Sequence, residues 1–139
     1  MSQVIDTSFL FALTNSNDKN HSACVAVART IKGRLIVPVT VLPEIAYLLD
    51  DRLGHHVMRQ FVQQITQPTW SIEPLQHKDL LRAAALLEQY ADARLDFVDA
   101  TLVAIAERLN VARLLTLDQR HYRMIRPVHC TAFEILPLT

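Results

Sequence analysis

The chain reads as an α/β protein, with a central, mostly parallel sheet of five strands and helices on both faces. Three observations predict this class. Short apolar runs alternate along the chain with longer stretches of helical periodicity, the order that parallel crossovers require. Half of the 139 residues are hydrophobic, enough for a substantial core. Glycine is scarce, at two residues, and neither low-complexity sequence nor an internal repeat breaks the pattern, which excludes a disordered chain. At this length, with no linker in view, one domain over residues 1–139 is expected.

The elements follow in order. Gln3 to Ile5 makes a short buried strand, and Thr7 and Ser8 are candidate caps for the turn or helix after it. A helix capped by Asp18 or Asn20 runs through Cys24, Val25, Val27 and Ala28, and Gly33 ends it. Leu35, Ile36 and Val37 form the second strand, closed by Pro38. Thr40 is a good N-cap for the next helix, with Pro43 tolerated in the first turn and Glu44 just behind it. That helix extends towards Gly54. Another spans His55 to Ile65, with Val57, Phe61, Val62 and Ile65 on one face, and Pro68 breaks it. Trp70 to Ile72 is the third strand. Asp79 to Tyr90 is rich in Ala and Leu and strongly helical. Phe97 to Leu109 is helical, with Asn110 as its stop. Leu114 to Leu117 and Phe133 to Leu136 supply the last two strands.

Composition limits the function classes. The formal net charge is zero, which argues against coating nucleic acid by bulk charge but leaves room for a local basic rim. No segment approaches the roughly 20 apolar residues of a membrane span, and Asp6 interrupts the N-terminal apolar run, so a soluble, cytoplasmic protein is expected. Cys24 and Cys130 are far apart, fit no zinc spacing, and read as buried free thiols in a reducing compartment.

Four acidic residues interrupt runs that otherwise look like core: Asp6, Glu44, Asp99 and Asp118. An isolated carboxylate in apolar surroundings is costly, so it is neutralised, paired or bound to a metal. Asp6 and Asp118 close two strands, and sites in open parallel sheets lie outside the carboxyl ends of strands. Glu44 and Asp99 stand in the first turns of two helices that can face the same crevice. Mg²⁺ or Mn²⁺ would hold such a cluster with hard oxygen ligands. One ion activates a water, and a pair about 3.5–4 Å apart steadies both attacking and leaving oxygens, which suits a phosphodiester. Each acid also has a purely local reading. Asp6 can cap a helix, Glu44 can favour a helix N-terminus, Asp118 can form a turn, and Asp96 with Asp99 can form a capping box.

The motifs Val4-Ile5-Asp6-Thr7-Ser8, Pro43-Glu44, Val98-Asp99-Ala100-Thr101-Leu102 and Leu115-Thr116-Leu117-Asp118-Gln119-Arg120-His121-Tyr122 resemble those of the PIN-domain family. The likeness extends over essentially the whole chain and is nearest to the VapC-type toxin ribonucleases. It implies a PIN-like α/β/α sandwich and cleavage of RNA by activated water with Mg²⁺ or Mn²⁺. Asp6, Glu44, Asp99 and Asp118 carry over as the acidic, metal-binding and catalytic positions, with Asp96 as an additional acid that only some relatives share. Tyr122 stands where the family usually has Phe, a mild change that leaves the catalytic residues untouched. The likeness further implies a small antitoxin that inserts a helix and a basic side chain into the acidic groove, and a homodimer, for which the apolar Phe9–Leu13 and Val57–Val62 segments would serve.

Thr7, Ser8 and Thr116 are expected to hydrogen-bond the carboxylates and fix their orientation. Arg120, Arg123 and Arg126, with His121, form a basic run suited to RNA phosphates; an ordinary solvated loop is the competing reading. No histidine is cast as a general base, since the metal supplies that activation. A receiver domain would need a lysine beyond the last strands, and Lys19, Lys32 and Lys78 all come too early. An aspartyl phosphatase would need a second acid soon after Asp6, where Ser8 and Phe9 stand. A PIN-like module that binds RNA or protein without cutting remains the alternative to the ribonuclease.

Overall fold

The structure, a computed structural model, describes residues 1–138. Its strands are β1 (Ser2–Ile5), β2 (Arg34–Pro38), β3 (Trp70–Glu73), β4 (Arg113–Leu115) and β5 (Glu134–Leu136). Its helices are α1 (Thr7–Thr14), α2 (His21–Thr30), α3 (Val41–Leu53), α4 (His55–Ile65), α5 (His77–Gln89), α6 (Phe97–Leu109) and α7 (Gln119–Met124). The strand order is β3-β2-β1-β4-β5, and every pairing is parallel, not merely most of them. The chain builds outward from β1 through β2 to β3, then returns to the other side of β1 for β4 and β5. The order therefore reverses between β1 and β4, and a crevice opens beyond their carboxyl ends.

Alternation along the strands divides the core in two. Val4, Ile36 and Leu114, paired in register, face a cluster with Leu86 of α5 and Leu102, Val103 and Ala106 of α6. Ile5, Val37 and Leu115 face the opposite way, onto Phe9 and Leu10 of α1 and Val41, Ile45 and Leu49 of α3. The sheet is covered on both sides, which makes its central strands continuously apolar in sequence. Every residue of α6 from Asp99 to Ala106 is buried, so small residues such as Ala100, Ala104 and Ala106 let it pack closely between the sheet and α5. Gly33 enters β2 at φ 99°, and a Cβ there would fall 1.5 Å from the Met1 carbonyl oxygen, so no other residue fits without moving the first strand.

Several local expectations are corrected. Strand β4 ends at Leu115, and Thr116 and Leu117 belong to the turn that follows. Of the basic run after Asp118, Arg120, His121 and Arg123 stand on helix α7, which buries Tyr122, and Arg126 follows its end. Thr40 makes no capping bond; its hydroxyl pairs with Thr101 Oγ1 at 2.8 Å, joining α3 to α6. A capping box does occur, but at α5, between Gln76 and Asp79. Asp79 also accepts from Arg108 Nε at 2.9 Å, tying α5 to α6 as a nearly buried ion pair. Val62 is 45 % exposed and lies off the packed face of α4. Cys24 is buried as expected, whereas Cys130 is only half-buried. Among the described residues no helix is long and apolar enough to cross a membrane.

Candidate metal centre

The crevice beyond β1 and β4 is a cleft of about 400 Å³ lined by Asp6, Thr7, Ser8, Glu44, Asp96, Asp99 and Asp118, with Phe11, Asp18, Leu48, Arg52 and Leu117 around them. The acids reach it from β1, α3, α6 and the turn after β4, segments remote in sequence. A larger hollow of about 650 Å³ lies elsewhere, against Leu13, Val57, Phe61 and Trp70, and no ionisable group lines it. Phe9 and Ala12 of α1 are buried in the core, while Leu10 and Leu13 also line that hollow, so only part of the apolar Phe9–Leu13 segment is spent on packing.

Asp6 stands one residue past β1, and its N–H still donates to Leu115 O at 2.9 Å. It occupies the N-cap position of α1 with extended backbone, yet its side chain makes no cap bond. Oδ2 instead accepts from Thr116 Oγ1 at 2.8 Å and from Ser8 Oγ at 3.2 Å. Each hydroxyl is itself oriented by a backbone donor, Ser8 by Leu117 N and Thr116 by Asp118 N, both at 2.9 Å. Two short relays thus run from the β4–α7 turn into one carboxylate oxygen, which fixes its direction. Thr7 reaches Asp6 through its backbone N–H, not through its side chain, whose hydroxyl is buried without a hydrogen-bond partner.

Asp99 is the third residue of α6. Asp96, at the N-cap, accepts from Asp99 N at 2.8 Å, but the reciprocal bond of a capping box is missing. The Asp99 side chain turns inward, where Oδ1 accepts from Tyr122 O–H at 3.0 Å. Tyr122 is 1 % exposed. Glu44 is half-buried in the first turn of α3. Asp118 caps α7 by position, and its Oδ2 lies 2.9 Å from His121 Nδ1.

The electrostatics follow from burial. Asp6 is 5 % exposed and Asp99 7 %. Burial pushes Asp6 up to about 6, against the opposing pull of its Thr116 and Ser8 bonds. Burial raises Asp99 further, to about 7, and the charges of Asp6 and Asp96 add to this while the Tyr122 hydrogen bond opposes it. Its bond to Asp118 raises His121, favouring the imidazolium. Two buried acids with raised pKa values facing one cleft mark a candidate functional site.

The donor set fits a divalent cation. One ligand atom each from Asp99, Asp118 and His121 lies within 4.8 Å of the others. Asp6 and Glu44 line the same cleft and add carboxylate oxygens, the donors preferred by Mg²⁺ and Mn²⁺. The unpartnered Thr7 hydroxyl offers a further polar contact for metal-bound water. Of the basic run, Arg120, Arg123 and Arg126 do not line the cleft; Arg123 Nη2 donates to Gln119 at 2.6 Å on its own helix.

Two contacts behind the cleft are not legible in sequence. Tyr122 donates to Asp99; an aromatic inside a basic run signals a buried face but not that bond. His121, expected only as part of the basic run, follows Asp118 at i+3, a spacing that means contact only once the segment is known to be helical. Arg52, which sequence offers only as a rim charge among helix-surface residues, lines the cleft eight residues beyond Glu44 on α3, two turns on.

A parallel sheet with acids converging at its switch point defines the class: an α/β protein with an acidic cleft beyond its carboxyl edge. Within that class, the chain belongs to the PIN domain family, which it matches over residues 4–126. It is 28 % identical over 134 residues to ribonuclease VapC26 of Mycobacterium tuberculosis, covering 96 % of this chain and 99 % of that protein. In fold it is similar to M. tuberculosis VapC20, described as a sarcin-ricin loop cleaving toxin, with a TM-score of 0.80, 23 % identity, and 85 % and 91 % of the two chains covered. It is also similar to a chain of VapBC2 from Rickettsia felis, solved bound to a DNA fragment from their promoter, with a TM-score of 0.73, 14 % identity, and 99 % and 100 % covered.

Proposed function

We propose that this protein is a metal-dependent endoribonuclease that hydrolyses RNA phosphodiester bonds, acting as the toxin of a toxin–antitoxin pair. The observation that carries the proposal is the convergence of buried Asp6 and buried Asp99, with Glu44 and Asp118, on one cleft. The 28 % identity to a ribonuclease along nearly the whole chain supports the choice of RNA.

Asp6, Asp99 and Asp118, with Glu44, would hold Mg²⁺ or Mn²⁺, and Asp96 adds negative charge at the rim. When bound, the ion supplies a water acidified enough to attack phosphorus and offsets charge that develops on the phosphate. The chain's own residues do the rest. Ser8 and Thr116 aim Asp6, and Tyr122 aims Asp99. Glu44 orients the attacking water from α3. Asp118, held by His121, would help hold a second ion on the leaving side. Arg120, Arg123 and Arg126 of α7 and its exit bind RNA phosphates outside the cleft. A cognate antitoxin would place a basic side chain among the carboxylates, and a second copy of the chain would complete a homodimer, acting in the cytoplasm.

Incubation of the purified protein with a mixed RNA pool tests the reading. Cleavage is expected with Mg²⁺ or Mn²⁺ and not with EDTA, and Asp6→Ala or Asp99→Ala should abolish it while the far-ultraviolet spectrum stays native. An intact RNA pool under every metal condition would refute the assignment.

A further inference from the structure

We propose that Arg52, laid over Phe11 at the edge of the acidic cleft, binds a phosphate of the RNA that flanks the scissile one, and so sets the side from which the strand enters. The inference deepens the ribonuclease reading and rests on it.

The charge balance of the cleft poses the problem. Arg52 is the one arginine or lysine that lines it among the described residues, and all six other charged residues lining it are acidic. A bound divalent ion offsets two of those charges, so a polyanion still meets net repulsion and needs a fixed cation to bind against.

Arg52 is placed for that purpose. Its guanidinium carbon lies 5.7 Å from the Phe11 ring centroid, a contact that restrains the planar group while leaving its N–H edge free for two phosphate oxygens. Arg82, Arg108 and Arg113 are each engaged with carboxylates, whereas Arg52 makes no ion pair among the described residues and is exposed.

The helix sets the distance. Glu44, Leu48 and Arg52 repeat every four residues along one face of α3 and all line the cleft. Eight residues of helix put the Arg52 backbone roughly 12 Å along the axis from Glu44, and its side chain leans back towards the helix N-terminus. It therefore meets a neighbouring phosphate and not the one under attack.

The test compares wild type, Arg52→Gln and Arg52→Lys in steady-state cleavage of one labelled RNA with Mn²⁺, over a salt series, with Mn²⁺ binding followed by calorimetry. For Arg52→Gln, KM should rise by about tenfold or more, as expected for a lost charge-assisted phosphate contact, with kcat within about twofold. The salt dependence of kcat/KM should become shallower, by about 0.7 in the log–log slope for one single-strand phosphate. Arg52→Lys should recover part of the KM, and Mn²⁺ affinity should be unchanged in both. Wild-type KM and slope in Arg52→Gln would overturn the inference and leave the ribonuclease reading standing. So would a variant altered only in its capture of a co-expressed protein from the neighbouring gene, which makes Arg52 a partner contact. Failure of wild type to cleave any RNA would remove both.

Discussion

Replacing Asp99 by Asn should make the metal-free protein more stable while removing its response to metal. Burial holds Asp99 at about 7 against an ordinary aspartate value of 3.8. At ~1.4 kcal/mol per pH unit, its ionisation costs the metal-free fold roughly 4 kcal/mol above neutrality. Asn keeps the shape and an oxygen for the Tyr122 hydroxyl, but it buries an amide, so a net gain of roughly 2 kcal/mol is expected. For a chain of this size that is a rise in Tm of roughly 6 °C. The sign follows from proton linkage. The folded protein holds this proton more tightly than the unfolded chain, so wild-type stability falls as pH rises from about 4 to about 7. Asn has no such loss but carries its amide cost at every pH, so the variant should be less stable than wild type by roughly 2 kcal/mol at about pH 4 and more stable by roughly 2 kcal/mol above pH 7. Thermal unfolding by circular dichroism in EDTA at several pH values reads it directly. Added Mn²⁺ should raise the wild-type Tm at pH 7.5 and leave that of Asp99→Asn unchanged. An Asn variant less stable than wild type at pH 7.5, or a difference that does not vary with pH, would refute the claim that Asp99 sits in a cleft built for a cation.

Other consequences are independent. Tyr122→Phe keeps the buried ring but deletes the donor to Asp99; calorimetry should show Mn²⁺ binding weakened by about tenfold with a stability loss of only about 1 kcal/mol. Asp79→Ala removes one of the two carboxylates that hold Arg108, leaving Glu73 at 3.0 Å, and strips the capping box of α5. Urea denaturation should show a loss of about 2 kcal/mol, while RNA cleavage by the folded fraction persists.

Much of the fold was legible because two periodicities are strong. Strands buried on both faces show as unbroken runs such as Leu35-Ile36-Val37, and α6 shows as a long Ala-rich segment between Asp96 and Asn110. The weak points were local. Helix α7 has little apolar content beyond Tyr122, Met124 and the adjacent Ile125, so its basic residues masked its periodicity. Thr40 looked like a cap because it precedes a helix, but a tertiary bond to Thr101 takes its hydroxyl. The convergence of Asp6, Glu44, Asp99 and Asp118 could be argued from position, since each ends a strand or begins a helix near a switch point. What positions them could not. The relays through Ser8 and Thr116 span about 110 residues, the Tyr122 hydroxyl crosses from α7 to α6, and the His121 pair lies in a helical turn that sequence did not reveal. Thr7, adjacent to Asp6 in sequence, was the natural choice for a supporting hydroxyl, and its side chain is instead unpartnered.

The most direct measurement is an anomalous difference map, recorded at the manganese edge, from crystals soaked in Mn²⁺. The account predicts a peak in the cleft within about 2–2.5 Å of carboxylate oxygens of Asp99 and Asp118, on the side facing Asp6 and Glu44. A map from fully soaked crystals with manganese bound only at other surfaces, or not at all, would contradict it.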